Sequence, residues 1–412
     1  MTDKTILIVG TYDTKDDELN YLAGRINALG GGVVTMDVSV LGDPSRPTDY
    51  SKHQVAEEGG SSIEAAIASG NENTAMQIMA KGCTALVSRL YREGKFDGII
   101  ILGGSMGTDL ALDATAALPL GVPKYIVSTV SFSPLMPPSR LAADVQMILW
   151  AGGLYGLNSV CKSSLSQAAG AVLGAARAVE APVKDRPLVG MTSLGKSALK
   201  YMVPLKPALE ERGYEVAIFH ATGMGGRAFE SLASEGAFAC VMDFCTQELG
   251  NHVCGSRISA GADRLTNAGR TGTPQIVAPG CYDLVDIVGW DDIPEKWEHH
   301  PSHAHNRLIT SIVLNNDERR EVARAHSAQL AKAASATALL MPLHGCGEWD
   351  RAGEDLNDPE GLAAFMDELG QTCPDNVEKT ELDCHINDDE FAQAALSIFD
   401  DWVEKGIVPQ SN

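Results

Sequence analysis

The chain has 412 residues, 44% hydrophobic and 21% charged, with a formal net charge of −22. That length accommodates two or three domains with full-sized cores. The acidity repels phosphate backbones and anionic lipid at long range, which argues against nucleic acid and membrane as partners.

Residues 5–9 read as a strand, followed by Gly10-Thr11-Tyr12-Asp13-Thr14-Lys15 and a helix over 16–29 with apolar positions at Leu19, Leu22, Ile26 and Leu29. In parallel α/β sheets, ligands bind beyond the carboxyl ends of strands, so each such loop is a candidate. This one lacks the Walker and GxGxxG spacings. Its glycine, the hydroxyls of Thr11 and Thr14, and Lys15 suit a phosphate, and Asp13 suits a ribose hydroxyl or a magnesium ion. The competing reading is a helix cap at Asp13 or Thr14, with Asp16, Asp17 and Glu18 favourable in the first turn. A second strand over 33–38 leaves Asp37 and Ser39 at its mouth, a place for a ribose partner or a turn.

A third strand, 98–102, runs into Gly103-Gly104-Ser105-Met106-Gly107-Thr108-Asp109 and a helix. Small residues there let backbone N–H groups approach an anion, and Ser105 and Thr108 add hydroxyls. Otherwise the segment is a tight strand-to-helix turn. A strand over 124–130 and a small-residue helix over 164–179 complete this half. The apolar, glycine-rich stretch 148–157, with Trp150 and Tyr155, is a candidate interface segment. Apolar runs such as 98–102 are too short to cross a bilayer.

The pattern restarts after Lys184-Asp185-Arg186-Pro187. Gly10 aligns with Gly190, Thr11-Tyr12 with Met191-Thr192, and Tyr21-Leu22 with Tyr201-Met202. The second strands end at Asp37 and His220. Two related halves are expected, 1–183 and 184–412, each a doubly wound, Rossmann-like α/β subdomain with a parallel sheet. Residues 190–197 fit GxxxxGK[ST] letter for letter, but they match a first half without that motif, and a P-loop needs a further acid. Thr192, Ser193 and Lys196 stay as candidate anion contacts. Thr222, Gly223, Gly225, Gly226 and Arg227 form a polar cradle beside His220, which suits acid–base chemistry. Asp243 and Glu248 at the next strand end are catalytic candidates or helix caps.

The cluster of His299, His300, His303 and His305 reads as a surface loop, although its density permits a metal; no metal site is assigned. A strand over 338–343 ends in "PLHGCGEWD", where His344 is a candidate acid–base group and Cys346 a nucleophile or an inert thiol. Helices follow the patterns 317–336, 358–369 and 388–405. The nine cysteines have no CxxC pair, and residues 1–4 lead straight into a strand without a leader pattern, so free thiols in a reducing cytoplasm are expected.

Taken together, "VGTYDTKDDEL", "ILGGSMGTDLA", "GMTSLGKSA", "HATGMGGRAFE", "APGCYDLVD" and "HNRLITSIV" resemble the UPF0261 family, the Tm-1-like ATP-binding domain, named after the N-terminal region of a tomato virus-resistance protein. These motifs run in order along essentially the whole chain. The resemblance implies two Rossmann-like subdomains, a homodimer, and ATP or a related nucleotide in the N-terminal subdomain. It makes Thr11, Asp13, Thr14, Lys15, Asp37, Gly103, Gly104, Ser105, Gly107 and Thr108 nucleotide-site residues. The plant protein continues into a TIM-barrel-like domain resembling phosphoenolpyruvate-utilising enzymes, which implies a separate TIM-barrel partner here. "GCGEWD" departs from the serine-containing GxSxxD expected, which leaves Cys346 without an implied role.

The expected function is a cytoplasmic nucleotide-binding protein with small-molecule chemistry in a cleft between the subdomains. His220, Asp243, Glu248 and His344 would supply acid–base or phosphoryl-transfer chemistry assisted by magnesium. One alternative is a non-catalytic, nucleotide-responsive binding module. Another is an acyl- or carboxyl-processing enzyme working with the TIM-barrel partner.

Overall fold

Continuous apolar runs such as Ile6-Leu7-Ile8-Val9 and Ile99-Ile100-Ile101-Leu102 are wholly buried, as central parallel strands covered by helices on both faces require. The computed structural model describes residues 4–180 and 185–411. The chain divides into two units, Met1–Pro182 and Val183–Asn412; the boundary expected at 183/184 lies outside the described residues.

The first unit runs β1 (Thr5–Gly10), α1 (Asp16–Ala28), β2 (Gly32–Asp37), α2 (Lys52–Glu58), α3 (Ile63–Ala68), α4 (Glu72–Arg92), β3 (Gly98–Gly103), α5 (Ser105–Ala116), β4 (Lys124–Ser128), β5 (Gln146–Leu149) and α6 (Ser159–Ala178). Its sheet is parallel with the order β2-β1-β3-β4-β5. Alternate strand residues feed opposite faces. Ile6, Ile8 and Ile100 pack with α1 and α6, while Leu7, Val9 and Ile99 pack with α4 and α5. The order reverses between β1 and β3, and such a switch point opens a crevice at the strand ends.

Helices α2, α3 and α4 fill a stretch for which the sequence reading assigned no element. Each starts at an N-cap whose side chain accepts a backbone N–H: Ser51, Ser62 and Asn71. Gly82 lets α4 meet α2 closely, since a Cβ there would run into the Val55 carbonyl.

The second unit continues β6 (Leu188–Ser193), α7 (Met202–Glu211), β7 (Glu215–His220), α8 (Met224–Ser234), β8 (Cys240–Cys245), α9 (Gln247–Val253), α10 (Asn267–Thr271), β9 (Gln275–Gly280), β10 (Leu284–Val288), β11 (Ser302–Ala304), β12 (Ile309–Val313), α11 (Asn316–Leu330), β13 (Thr337–Pro342), α12 (Pro359–Thr372), β14 (Glu378–Leu382) and α13 (Asp389–Glu404). A parallel sheet has the order β14-β13-β9-β8-β6-β7, and β10, β12 and β11 make a small antiparallel sheet. From β7 inward, the large sheet repeats the strand order of the first unit and adds one strand.

The pairing corrects the alignment of the halves. Gly10 pairs with Asp37 and Ser193 with His220, while Ile6 pairs with Gly98 and Val189 with Cys240. Gly10 therefore corresponds to Ser193, three residues beyond Gly190. Gly190 lies inside β6, where a Cβ would press on the rings of Phe238 and Phe229 at 2.9 to 3.0 Å. The Walker-like string thus begins within a strand and ends in a turn, Ser197 N–H to Leu194 carbonyl, 2.9 Å. Helix α7 starts only at Met202, so no helix N-terminus stands behind that turn.

Candidate functional site

A cavity of about 520 Å³ opens at the switch point of the first unit. One wall comes from the loops after β1 and β3: Thr11, Asp13, Thr14, Lys15, and Gly103 to Gly107. The facing wall is mainly apolar, with Ala66 and Ile67 from α3, Ala75 and Met76 from α4, and Val40 and Leu41 from the loop after β2. Leu41 is 79% exposed and Ile67 49%, so this apolar surface is left uncovered.

The polar wall is built from helix ends. Gly104 caps α5 and has no side chain with which to bond the first turn. The first N–H groups of any α-helix have no intrahelical carbonyl to bond. No acidic residue lies in the first turn of α5, whereas Asp16, Asp17 and Glu18 fill that of α1. Both helices start at the crevice, yet the partial positive charge of a helix start favours an external anion at α5 and is opposed by carboxylates at α1.

Gly103 must be glycine because a Cβ would lie 2.6 Å from Gly107 Cα, where α5 folds back on the strand end. A Cβ on Gly104 would have Thr129 Oγ1 at 3.8 Å as its nearest neighbour. Ser105 is exposed. Thr11 Oγ1 and Thr14 Oγ1 are 3.1 Å apart, and Lys15 Nζ donates to Thr14 Oγ1 at 3.1 Å.

Asp37, Ser39 and Thr108 do not line the cavity. Asp37 is 1% exposed, and its Oδ1 accepts from Tyr12 N at 3.3 Å, Ser39 N at 2.9 Å and Ser39 Oγ at 2.5 Å. Burial raises its carboxyl above the usual carboxylate range, against those hydrogen bonds. Ser39 Oγ also accepts from Asp13 N at 3.0 Å. Asp37 and Ser39 therefore tie together the loops that carry the wall. Thr108 Oγ1 bonds the Gly104 carbonyl and Ser128 Oγ, each at 2.7 Å, and braces the α5 start from behind. Ile67, Asn71, Glu72 and Met76 line the cavity without having been singled out in the sequence; the polar-capped start of α4 at Asn71 was their available signal.

In the second unit the candidates separate. Asp243 and Glu248 are 1% and 0% exposed and flank Arg264, itself 0% exposed. Arg264 donates to Asp243 through Nη1 at 2.5 Å and Nη2 at 2.7 Å, to Glu248 Oε2 at 2.9 Å, and to Glu230 Oε1 at 3.2 Å. Thr192 Oγ1 adds a hydrogen bond to Asp243 at 2.7 Å. Burial pushes the Glu230 carboxyl up to about 7, opposed by Arg264, which eases the excess of carboxylates around one guanidinium.

The backbone N–H groups of Gly223 and Gly226 bond Glu248 Oε1 at 2.5 and 3.0 Å. The cradle read as an anion site therefore holds the protein's own anion. Arg227 pairs with Asp263 at 2.7 Å. Ser193 is buried and Lys196 exposed, and Thr222 and Gly225 stand on either side of the Gly223 turn. His220 is exposed and accepts from Gly195 N at 3.4 Å. His344 pairs with Asp383 at the surface, 2.9 Å. Neither histidine joins the Arg264 network.

Cys346 is buried, and burial raises its thiol well above the ordinary range, which disfavours the thiolate that a nucleophile needs. Among the described residues, no three His, Cys, Asp or Glu side chains are grouped to hold a metal. In the histidine-rich stretch, His303 instead packs on the Trp349 ring at 4.5 Å.

A UPF0261 protein of Brucella melitensis is 54% identical over 99% of this chain and 97% of its own length. One from Clostridium tetani is 36% identical over 98% and 100%. The ToMV resistance protein Tm-1(GCR237) of Solanum lycopersicum is 29% identical over 96% of this chain and 55% of its own. Among solved structures, an S. aureus MnaA–UDP co-structure aligns over 66% of this chain and 79% of that one, at 11% identity and a TM-score of 0.21, too slight a likeness to bear on the ligand. The models of the uncharacterised protein family UPF0261 match residues 4–181 with its N-terminal domain and 186–403 with its C-terminal domain, so the chain belongs to UPF0261.

Proposed function

We propose that the first unit binds a nucleoside phosphate, ATP or a close relative, in the switch-point cavity. The observation that carries this reading is the uncapped, acid-free start of α5 opening on a cavity of about 520 Å³ with an apolar wall opposite. Phosphates meet the α5 N–H groups, Ser105 and Lys15, and a base lies against Ile67, Ala75 and Met76. A site of this size with few convergent polar groups is the ordinary form of a small-molecule pocket.

Titration calorimetry and thermal melts with ATP, ADP, GTP and orthophosphate test the reading. At a hundredfold excess over the dissociation constant, ATP should stabilise the protein by about 2.7 kcal/mol. A melting curve indifferent to every nucleotide refutes it.

A nucleotide-responsive binding module fits the second unit better than acid–base catalysis by the four candidates, because Arg264 holds Asp243 and Glu248 while His220 and His344 stand apart. Sustained ATP consumption that falls in both Asp243→Asn and His220→Ala would overturn this. By family resemblance the protein is read as a cytoplasmic homodimer with a separate TIM-barrel partner. The edge strand β5, with exposed Leu149, and the segment after it, with exposed Tyr155, form the contact proposed for the dimer; sedimentation of a Leu149→Glu/Tyr155→Glu variant should show a monomer.

A further inference from the structure

A second cavity, of about 410 Å³, adjoins the first. It is a groove between two helix starts. Glu72 and Met76 of α4 stand at i, i+4 spacing on one side, and Ser105 and Asp109 of α5 at the same spacing on the other, with Asn73 and Met106 beside them. Glu72, Met76, Ser105 and Met106 also line the first cavity, whereas Asn73 and Asp109 line the second alone. The first turn of α5 therefore lies on the border between the two. The polar groups of the groove are open to a ligand: Glu72, Asn73 and Ser105 are exposed. Asp109 is fixed by Arg140, which pairs with its carboxylate, donates to its carbonyl through Nη2 at 3.0 Å and reaches Asp113 Oδ1 at 2.7 Å. Among the described residues, no lysine or arginine lines the groove.

We propose that the start of α5 holds a bridging phosphate rather than a terminal one, and that the ligand is a nucleoside diphosphate esterified to a neutral, hydroxyl-rich group that lies in the second cavity. This rests on the nucleotide reading of the first cavity. A terminal phosphate at α5 uses one side of the border only, whereas a diphosphate ester uses both. The walls of the groove select what lies on the second side. Glu72 and Asp109 disfavour a further phosphate beside them, because like charges repel at short range. Ionised carboxylates only accept hydrogen bonds, and the Asn73 amide both donates and accepts. Hydroxyl groups supply the matching donors, and their bonds to carboxylates are charge-assisted. Met76 and Met106 add apolar surface for the carbon skeleton that carries those hydroxyls.

The test is calorimetric titration of the full chain with ADP, ADP-glucose and ADP-ribose. At least one of the two esters should bind about tenfold more tightly than ADP, the effect of one hydrogen bond to a charged group. Asn73→Ala and Asp109→Asn, both outside the first cavity, should each weaken that ester by about fivefold or more and leave ADP affinity unchanged. Asn73 is exposed, so ligand-free Asn73→Ala should melt like the wild type, which separates lost contacts from lost folding. Esters that bind no more tightly than ADP, or that bind both variants as they bind the wild type, overturn the proposal. If ADP itself does not bind, the nucleotide reading falls as well; if ADP binds and neither ester gains, only this inference falls.

Discussion

Gly104→Asp separates a structural role for the loop after β3 from a binding role. Gly104 is the N-cap of α5 with φ −75°, a conformation open to any residue. An added Cβ meets nothing closer than 3.8 Å. Aspartate is a preferred N-cap, worth a few tenths of a kcal/mol over glycine. Its charge at the helix start adds about 0.3–1 kcal/mol. The variant should therefore be more stable than wild type by about 0.5–1 kcal/mol, a rise in melting temperature of roughly 1–4 °C for a unit of this size. The same carboxylate occupies the N–H groups that the proposed ligand needs and repels its phosphates. Losing two charge-assisted hydrogen bonds costs about 3 kcal/mol or more, upwards of roughly a hundredfold in affinity. Calorimetric melts and ATP titrations on one preparation read both effects. A variant that binds ATP like wild type, or that melts lower, refutes the reasoning. Gly103→Ala is the counterpart: its Cβ would sit 2.6 Å from Gly107 Cα, so it should destabilise by about 1–3 kcal/mol.

Glu248→Ala leaves Arg264 and the Gly223 and Gly226 N–H groups without their carboxylate; urea melts should show a loss of about 3–5 kcal/mol in the second unit, with ATP affinity in the first unit unchanged. Burial, reinforced by Asp350, pushes the Asp283 carboxyl up to about 7 from an ordinary value near 3.8. A raised folded pKa gives stability that is present below the unfolded value and lost as pH rises through the folded one, so this contribution to the second unit should fall from about pH 4 to pH 7. Asp283→Asn should flatten that fall. Gly82→Ala drives a methyl into the Val55 carbonyl and should lower the melting point of the first unit by a shift equivalent to about 1–3 kcal/mol.

The strand-end loops were legible because small residues follow short apolar runs, a local signal. The helices from 52 to 92 carry local signals too: a capping box at Ser51 and Gln54, and buried Met76, Met79, Cys83, Leu86, Val87 and Leu90 at helical spacing in α4. They supply the apolar wall, so without them the candidate site was half a site. Other features are not local at all. Arg264 lies 21 residues from Asp243 and 34 from Glu230, in a loop with no periodicity to mark it. Asp37 shows a different limit. Its place at a strand end was readable, but whether its carboxylate faced a ligand or its own loop depended on Tyr12, distant in sequence, and on Ser39.

The repeated strand order makes the contrast between the two units informative. The helix after β3 and the helix after β8 occupy equivalent places, yet α5 starts with glycine and serine while α9 starts with buried Gln247 and Glu248. In the second unit, backbone N–H groups and a buried guanidinium converge on the Glu248 carboxylate. Donors of that kind would otherwise require an external anion, and here the chain supplies one itself. In the first unit the equivalent helix start opens on a cavity, and no acidic residue lies in its first turn. Two copies of one architecture thus differ at the position where the topology favours a ligand. In the filled copy an internal carboxylate occupies the donors, and in the open copy no side chain caps the helix start.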